Sequence, residues 1–201
     1  MTTDGAASNP NVVLDSYLAE WDGLSQEKST LEAALRDARV TMKTGDALWL
    51  ATLGYLIVLE QLGRMVARPN TRFPNRKGVE TRFKAGVLEF ADDPSDSDLS
   101  SALYSLRCSL AHEYGLRNRE RHVFILTRSN AFIRPASVPW DGTVEGAGRL
   151  EMNTVVNVRE VGNYVESVVT AVRSEHALGN VELAPGLDPA EAAIFGSFYA
   201  G

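Results

Sequence analysis

The sequence has few of the residues that build crosslinks, metal centres and membrane spans. Cys108 is the one cysteine among 201 residues, so no internal disulfide forms and no cysteine–histidine cluster has zinc-binding spacing. The chain also lacks HExxH, a metal-spaced carboxylate pair, a glycine-rich phosphate loop and G-x-S-x-G. We therefore expect no metal, no cofactor and a reducing cytoplasmic setting, and any enzyme built here is a metal-free one.

Long hydrophobic runs are also missing. The most apolar stretch, residues 47–59, ends after 13 residues at Glu60, whereas a membrane helix needs roughly 20 apolar residues. The stretch instead predicts a helix that continues to Ala67, before Pro69, and that is apolar nearly all round. We expect no membrane association and a central helix in a bundle.

Hydrophobic periodicity predicts a mainly α fold, a helical bundle with a small β-hairpin and a further helix in the C-terminal third. Besides the central helix, helices are expected over 12–21 and 26–42, which form either two short helices or one kinked helix, over 79–90, and from Asn157 to about Ser174. Two segments rich in β-branched and aromatic residues predict the strands of the hairpin, at 122–127 and 154–158.

The same patterns divide the chain into four parts. We expect a disordered N-terminal tail at 1–9 and a helical bundle at 10–120. The hairpin and the last helix form an extension at 121–177 that packs on the bundle, and 178–201 is a C-terminal tail.

One predicted helix carries an arginine and a histidine near its end. It begins near Pro94 and has a leucine stripe at helical spacing, at Leu99, Leu103, Leu106 and Leu110. Arg107 and His112 are five residues apart, so their side chains start about 140° apart around the axis. The length of the arginine side chain lets the two converge in a groove or a subunit interface beside the helix.

The pattern Arg107-x-x-x-x-His112, late in a long amphipathic helix, resembles the HEPN superfamily. Its members are helical bundles that usually dimerise through this helix. In active members the Arg and His of both subunits form a metal-independent endoribonuclease site, often in toxins and in anti-phage or RNA-processing systems. The resemblance covers about residues 10–116. It implies an HEPN-like bundle and a homodimer, with supporting polar groups at Ser109, Glu113 and Tyr114.

Cys108 is a departure from this family pattern. Many active members have a polar Asn, Asp or His directly after the Arg, where this chain has the cysteine. A buried, inert thiol is the simplest interpretation of Cys108, and a catalytic thiol is the alternative.

The chemistry of such a site is independent of the family. Cleavage by the ribose 2′-hydroxyl needs a base for its proton, an acid for the leaving 5′-oxygen and positive charge on the phosphate. His112 suits the proton transfers and Arg107 the phosphate. One histidine performs one transfer at a time, and a symmetric dimer brings in a second copy of His112. Without catalysis, the same pair is a capping histidine and a surface arginine.

The charge of the whole chain does not favour RNA, but its distribution does. The net charge is −6, whereas residues 64–84 contain seven basic residues against Glu80 alone, and 117–134 form a second basic cluster. Together they predict a phosphate-binding track toward His112, with a solvated surface as the alternative. The RNA-binding candidates are Arg64, Arg68, Arg72, Arg76, Lys77, Arg117, Arg119 and Arg121.

Two classes of function fit these features. The first is a metal-independent HEPN-type endoribonuclease, acting as a homodimer on RNA in a toxin or phage-defence setting, with an antitoxin or other protein partner. The second is a noncatalytic module in which Arg107 and His112 hold a dimer interface or bind a nucleotide or a protein. Loss of RNA cleavage in His112→Ala favours the first class, and weaker association of Arg107→Ala favours the second.

Overall fold

The computed structural model describes residues 9–21, 27–45, 47–91, 97–112, 116, 123–128 and 132–199. Within these residues the fold is mainly helical with small sheets, which confirms the predicted fold class. The helices are α1 (Pro10–Leu18), α2 (Thr30–Thr44), α3 (Leu48–Met65), α4 (Val79–Leu88), α5 (Ser97–His112), α6 (Val144–Ala147), α7 (Val158–Ala177) and α8 (Pro189–Gly196).

Short strands join distant parts of the chain. They are β1 (Glu27–Ser29), β2 (Val66–Ala67), β3 (Phe124–Thr127), β4 (Ile133–Arg134), β5 (Thr154–Asn157), β6 (Glu182–Leu183) and β7 (Ser197–Tyr199). Antiparallel pairs form between β1 and β7 and between β2 and β6, and a three-stranded sheet has the order β3-β5-β4. The N-terminal part of the chain forms two separate helices, α1 and α2, rather than one kinked helix.

The three-stranded sheet differs from the predicted hairpin in its strand pairing, because the two predicted strands are not antiparallel partners. Both predicted strands are present, but β3 runs parallel to β5, with Phe124 opposite Thr154. The antiparallel partner of β5 is β4, in the register Ile133 to Val156. The long connection between β3 and β5 lets the chain cross back and start the second strand at the same end, which a tight turn does not allow.

Helix α3 is central, as its sequence predicts. It packs against α2, α4, α5 and α7, and Leu56, Leu59 and Leu62 are completely buried. It ends at Met65 rather than at Ala67, because Val66 turns to an extended conformation and pairs with β6. The apolar surface all round α3 is thus covered mostly by the chain's own helices.

The last long helix, α7, begins where its capping residue predicts. The Asn157 side chain accepts hydrogen bonds from the backbone N–H groups of Arg159 (3.1 Å) and Glu160 (3.4 Å). The predicted inward residues are all buried, at Val161, Val165, Val168, Val169 and Val172. The helix continues to Ala177, beyond the predicted end.

The segment after α7 packs on the bundle instead of extending from it as a tail. Strand β6 pairs with β2 at the end of α3, and α8 packs against α1. Ala192 of α8 is completely buried, and Ala184 is 3% exposed. Val181 is buried as well, so apolar residues scattered along this segment reach the core, which local periodicity does not reveal.

Helices α3 and α4 cross in direct backbone contact. A Cβ on Gly63 would lie 1.7 Å from the Arg82 carbonyl oxygen, and one on Gly86 would lie 1.9 Å from that of Leu59. Only glycine fits at either position, since both contacts are with backbone. The crossing places the Glu60 turn of α3 beside the Arg82 turn of α4.

We expect Gly86→Ala to lower the free energy of unfolding by about 2 to 4 kcal/mol, because its Cβ overlaps the α3 backbone. Gly54→Ala in α3 is the matched control, since its Cβ would meet the Ala38 methyl group at 3.2 Å and the Ala38 Cα atom at 3.6 Å, without overlap of the backbone. Urea denaturation followed by circular dichroism measures both variants. Equal stability of the two variants would contradict the backbone contact.

Candidate functional site

Arg107 and His112 meet at the end of α5. The Arg107 Nη1 atom lies 3.0 Å from His112 Nε2, so the long arginine side chain spans the angle between the two positions. His112 is exposed, and the Arg107 side chain is 14% exposed. A guanidinium only donates, so the imidazole nitrogen is the acceptor in this contact. The structure therefore presents a cation and an imidazole nitrogen together at the surface.

Glu60 of α3 is a site residue that the sequence analysis did not select. Its Oε2 atom accepts a hydrogen bond from Arg107 Nη2 at 2.7 Å, and its Oε1 atom lies 3.9 Å from Arg82 Nη2. The carboxylate thus joins two guanidiniums from α4 and α5. The signal was present in the sequence, because Glu60 is the charged residue that interrupts the most apolar stretch of the chain.

Cys108 contacts Tyr104, one helical turn earlier in α5. Burial raises the pKa of Tyr104 to about 12, and its hydrogen bond with the Cys108 thiol adds to the increase. The Tyr104 ring also packs on Phe83 of α4, with ring centroids 5.8 Å apart. The phenol stays protonated at neutral pH, and the cysteine that departs from the family pattern belongs to this α4–α5 contact.

The supporting residues of the motif have different outcomes. Ser109 is completely buried, and its hydroxyl donates to the Ser105 carbonyl oxygen at 3.0 Å, so it lies on the core side of α5. Two residues along a helix rotate the side chain by about 200°, which turns Ser109 away from Arg107. Glu113 and Tyr114 lie outside the described residues.

Most of the first basic cluster is paired with carboxylates from other parts of the chain. Ion pairs join Arg64 to Glu191 (3.2 Å), Arg68 to Glu175 (3.2 Å) and Lys84 to Glu80 (2.6 Å), in addition to the pairs of Arg76 and Arg82. The predicted local excess of positive charge is therefore smaller in space than in sequence.

The other members of the predicted track are only partly described. The Arg72 guanidinium lies over the Phe73 ring, 5.0 Å from its centroid. Arg117, Arg119 and Arg121 lie outside the described residues. The described basic residues of the predicted track lie in the segment before α4 and in the turns of α3 and α4 that face each other.

Arg76, one of the predicted RNA ligands, is nearly buried in contacts within the fold and also lines the cleft described below. Its side chain is 3% exposed and forms an ion pair with Glu89. It donates to the carbonyl oxygens of Gly63 (2.8 Å) and Val66 at the end of α3. The guanidinium thus caps α3 and holds the 71–76 loop against it, because the last carbonyls of a helix have no partner within the helix.

A cleft of about 490 Å³ is lined in part by Arg82, one of the two arginines that Glu60 contacts. Arg64, Lys77 and Arg82 line one part of it, and residues 184–187 and Glu191 line another. Arg82 belongs to both the cleft and the Glu60 contact, so the two are continuous. A second cleft of about 500 Å³, between α2 and α3, is mostly apolar and holds no such cluster.

The described part of the chain offers neither a metal centre nor a membrane helix. It contains no group of three or more His, Cys, Asp or Glu side chains placed to hold a metal ion. No helix within it is both long and apolar enough to cross a membrane.

We expect Arg76→Met to lower the free energy of unfolding by about 3 kcal/mol, because Glu89 and two helix carbonyls lose their buried partner. Lys84→Met is the control, since it removes a cation from a solvent-accessible ion pair and should cost less than about 1 kcal/mol. Thermal and urea unfolding measure both. A stable Arg76→Met protein would restore Arg76 as a candidate surface ligand.

Comparison with known proteins does not identify a family for this chain. No family model, no curated protein and no solved structure matches the chain. Function is therefore inferred from the chemistry of the site itself and from the resemblance of its R-x4-H motif.

Proposed function

We propose that the chain is a metal-independent, HEPN-type endoribonuclease of the cytoplasm that cleaves RNA by attack of the ribose 2′-hydroxyl. The observation that carries the proposal is the contact of Arg107 with His112 Nε2, at 3.0 Å, on the exposed end of α5. It supplies the cation and the proton acceptor that this reaction needs in one place. A toxin or phage-defence role, with a protein antitoxin, is the proposed setting.

The contact itself indicates how the reaction starts. A phosphate bound to Arg107 takes the guanidinium away from His112 Nε2 and leaves that nitrogen free to accept the 2′-hydroxyl proton. The 2′-oxygen then bonds to phosphorus and the bond from phosphorus to the 5′-oxygen breaks. That oxygen takes a proton, and the products are a 2′,3′-cyclic phosphate and a 5′-hydroxyl.

The proton for the leaving oxygen needs a second group. We propose a homodimer through α5, in which another copy of His112 supplies this proton. The position of His112 at the exposed last residue of α5 supports this arrangement, since a second chain has access to it there.

Glu60 acts in this proposal as a positioning residue. Its 2.7 Å hydrogen bond to Nη2 leaves Nη1 of Arg107 directed at His112. The side chains of Glu60 and Arg107 are 18% and 14% exposed, so water screens the contact only in part. In many phosphoryl and acyl transfers, donors that are already oriented toward the developing negative charge provide much of the rate acceleration.

The noncatalytic module remains the second candidate function because the Glu60 carboxylate already pairs with Arg107. Glu60 neutralises Arg107 in the free protein, and an arginine held between a carboxylate and a histidine also serves as a fixed part of an interface. In this case Arg107→Ala weakens self-association or binding of a nucleotide or protein partner, and RNA stays intact.

We expect the purified protein to cleave a mixed RNA pool in EDTA and to leave fragments that end in 2′,3′-cyclic phosphate. His112→Ala and Arg107→Ala should each lower the rate by at least about a hundredfold, because each removes a group used in the transition state. The measurement is gel analysis of end-labelled RNA with enzymatic identification of the 3′ ends.

His176→Ala is the matched control for the histidine. His176 lies in the last turn of α7 and pairs with Asp15 at 2.8 Å, far along the chain from the motif. This variant should cleave like the wild type. If folded His112→Ala still cleaves RNA, the assignment of the catalytic site to His112 is wrong. If the folded wild type cleaves no RNA and its self-association depends on Arg107, the noncatalytic module is established.

Glu60→Gln should lower kcat about tenfold and leave KM within about twofold, since it loosens an arginine that acts mainly in the transition state. Glu80→Gln, which changes a carboxylate one helix away on α4, is the control and should leave both constants unchanged. Steady-state rates on one short RNA provide the numbers. A higher KM with an unchanged kcat would show that Glu60 affects only substrate binding.

A further inference from the structure

We infer that the basic cleft lined by Arg64, Lys77 and Arg82 binds the phosphate backbone of single-stranded RNA next to the scissile phosphate. The choice of RNA as the ligand rests on the proposed function. The site goes beyond it, because it assigns contacts for the flanking nucleotide to residues outside the R-x4-H motif.

The charges in the cleft favour an anion. Lys77 is exposed, and Arg82 has a buried Nε atom that lacks a hydrogen-bond partner among the described residues. Arg64 pairs with Glu191, whose side chain is 51% exposed, and an ion pair so open to water exchanges partners at little cost. Four basic residues, Arg64, Arg76, Lys77 and Arg82, therefore line the cleft together with one carboxylate, that of Glu191.

The shape and lining suit one nucleotide of a single strand. Pockets for small ligands have volumes of about 300 to 1,000 Å³, and the cleft, at about 490 Å³, lies within this range. Besides its cations, the cleft has apolar surface at Pro74, Pro185 and Leu187. A nucleotide offers a charged phosphate together with the flat face of an unstacked base, which only a single strand exposes.

The position of the cleft connects it to the proposed reaction. Arg64 follows Glu60 by one turn of α3, about 6 Å along the axis and on the same face. Arg82 contacts Glu60 and also lines the cleft. A strand whose scissile phosphate lies on Arg107 thus reaches Arg82 and then Arg64 and Lys77 with its next phosphate.

The C-terminal segment completes the site. Residues 184–187 and Glu191 form part of its wall, and the backbone N–H of Ala184 bonds to the Met65 carbonyl oxygen at 3.0 Å, which ties the segment to the end of α3. Glu191 contributes the opposing charge, and its removal should therefore strengthen RNA binding while removal of the cations weakens it.

The test measures binding of a fluorescent 2′-O-methyl RNA, which lacks the attacking hydroxyl and stays intact. The double variant Arg64→Gln/Lys77→Gln should raise Kd about tenfold and reduce the slope of log K against log salt by about 0.7, the value for the loss of one phosphate contact on a single strand. Glu191→Gln should lower Kd about twofold to threefold.

Arg149→Gln/Arg159→Gln makes the same change of net charge on exposed residues outside the cleft and should leave Kd within about twofold. Thermal unfolding checks that each variant is folded. Equal weakening by both double variants, or unchanged binding by Glu191→Gln and by the cleft double variant, would overturn the site. If the wild type cleaves RNA and the cleft double variant binds RNA normally, the cleft is rejected and the nuclease is not. If binding depends on the cleft residues but the wild type cleaves no RNA, only the nuclease is rejected.

Discussion

At the crossing of α3 and α4, Gly63 and Gly86 let the two backbones touch, and the features of the candidate site depend on this approach. It brings the Glu60 turn of α3 to Arg82 on α4, and it closes one side of the basic cleft. Side chains at these two positions would hold the helices apart by the thickness of a methyl group or more. The carboxylate would then no longer reach both of its guanidiniums, because such contacts weaken within a few tenths of an ångström.

The charges form a connected series rather than a patch. His112 contacts Arg107, Arg107 contacts Glu60, and Glu60 lies near Arg82, so the site and the cleft share one network. Networks of this kind respond as a unit, since a change at one member alters the partners available to the next. A bound phosphate has the charge and oxygen geometry to replace either the imidazole or the carboxylate as a partner of arginine. The protein thus holds Arg107 and Arg82 in pairs with an imidazole or a carboxylate.

Where the structure differs from what the sequence predicts, the cause is contact between residues that are distant in the chain. Arg76 and Ser109 look like surface groups in the sequence, but the end of α3 and the core side of α5 bury them. The hairpin prediction identified both strands and missed that β4 takes the antiparallel place beside β5, leaving β3 parallel. Local composition contains the tendency to form a strand, whereas the direction of pairing depends on the path of the chain between strands.

The sequence by itself determined the helical class, the central position of α3, the capped start of α7 and the meeting of Arg107 with His112, because periodicity, caps and helix geometry act over a few residues. Only the tertiary structure decided that Glu60 joins the site, that Arg76 caps α3, and that the segment after 178 walls a cleft. These outcomes depend on contacts between elements that lie far apart in the sequence. Burial and ion pairing are properties of positions in space, and no local pattern specifies which distant carboxylate neutralises a given arginine.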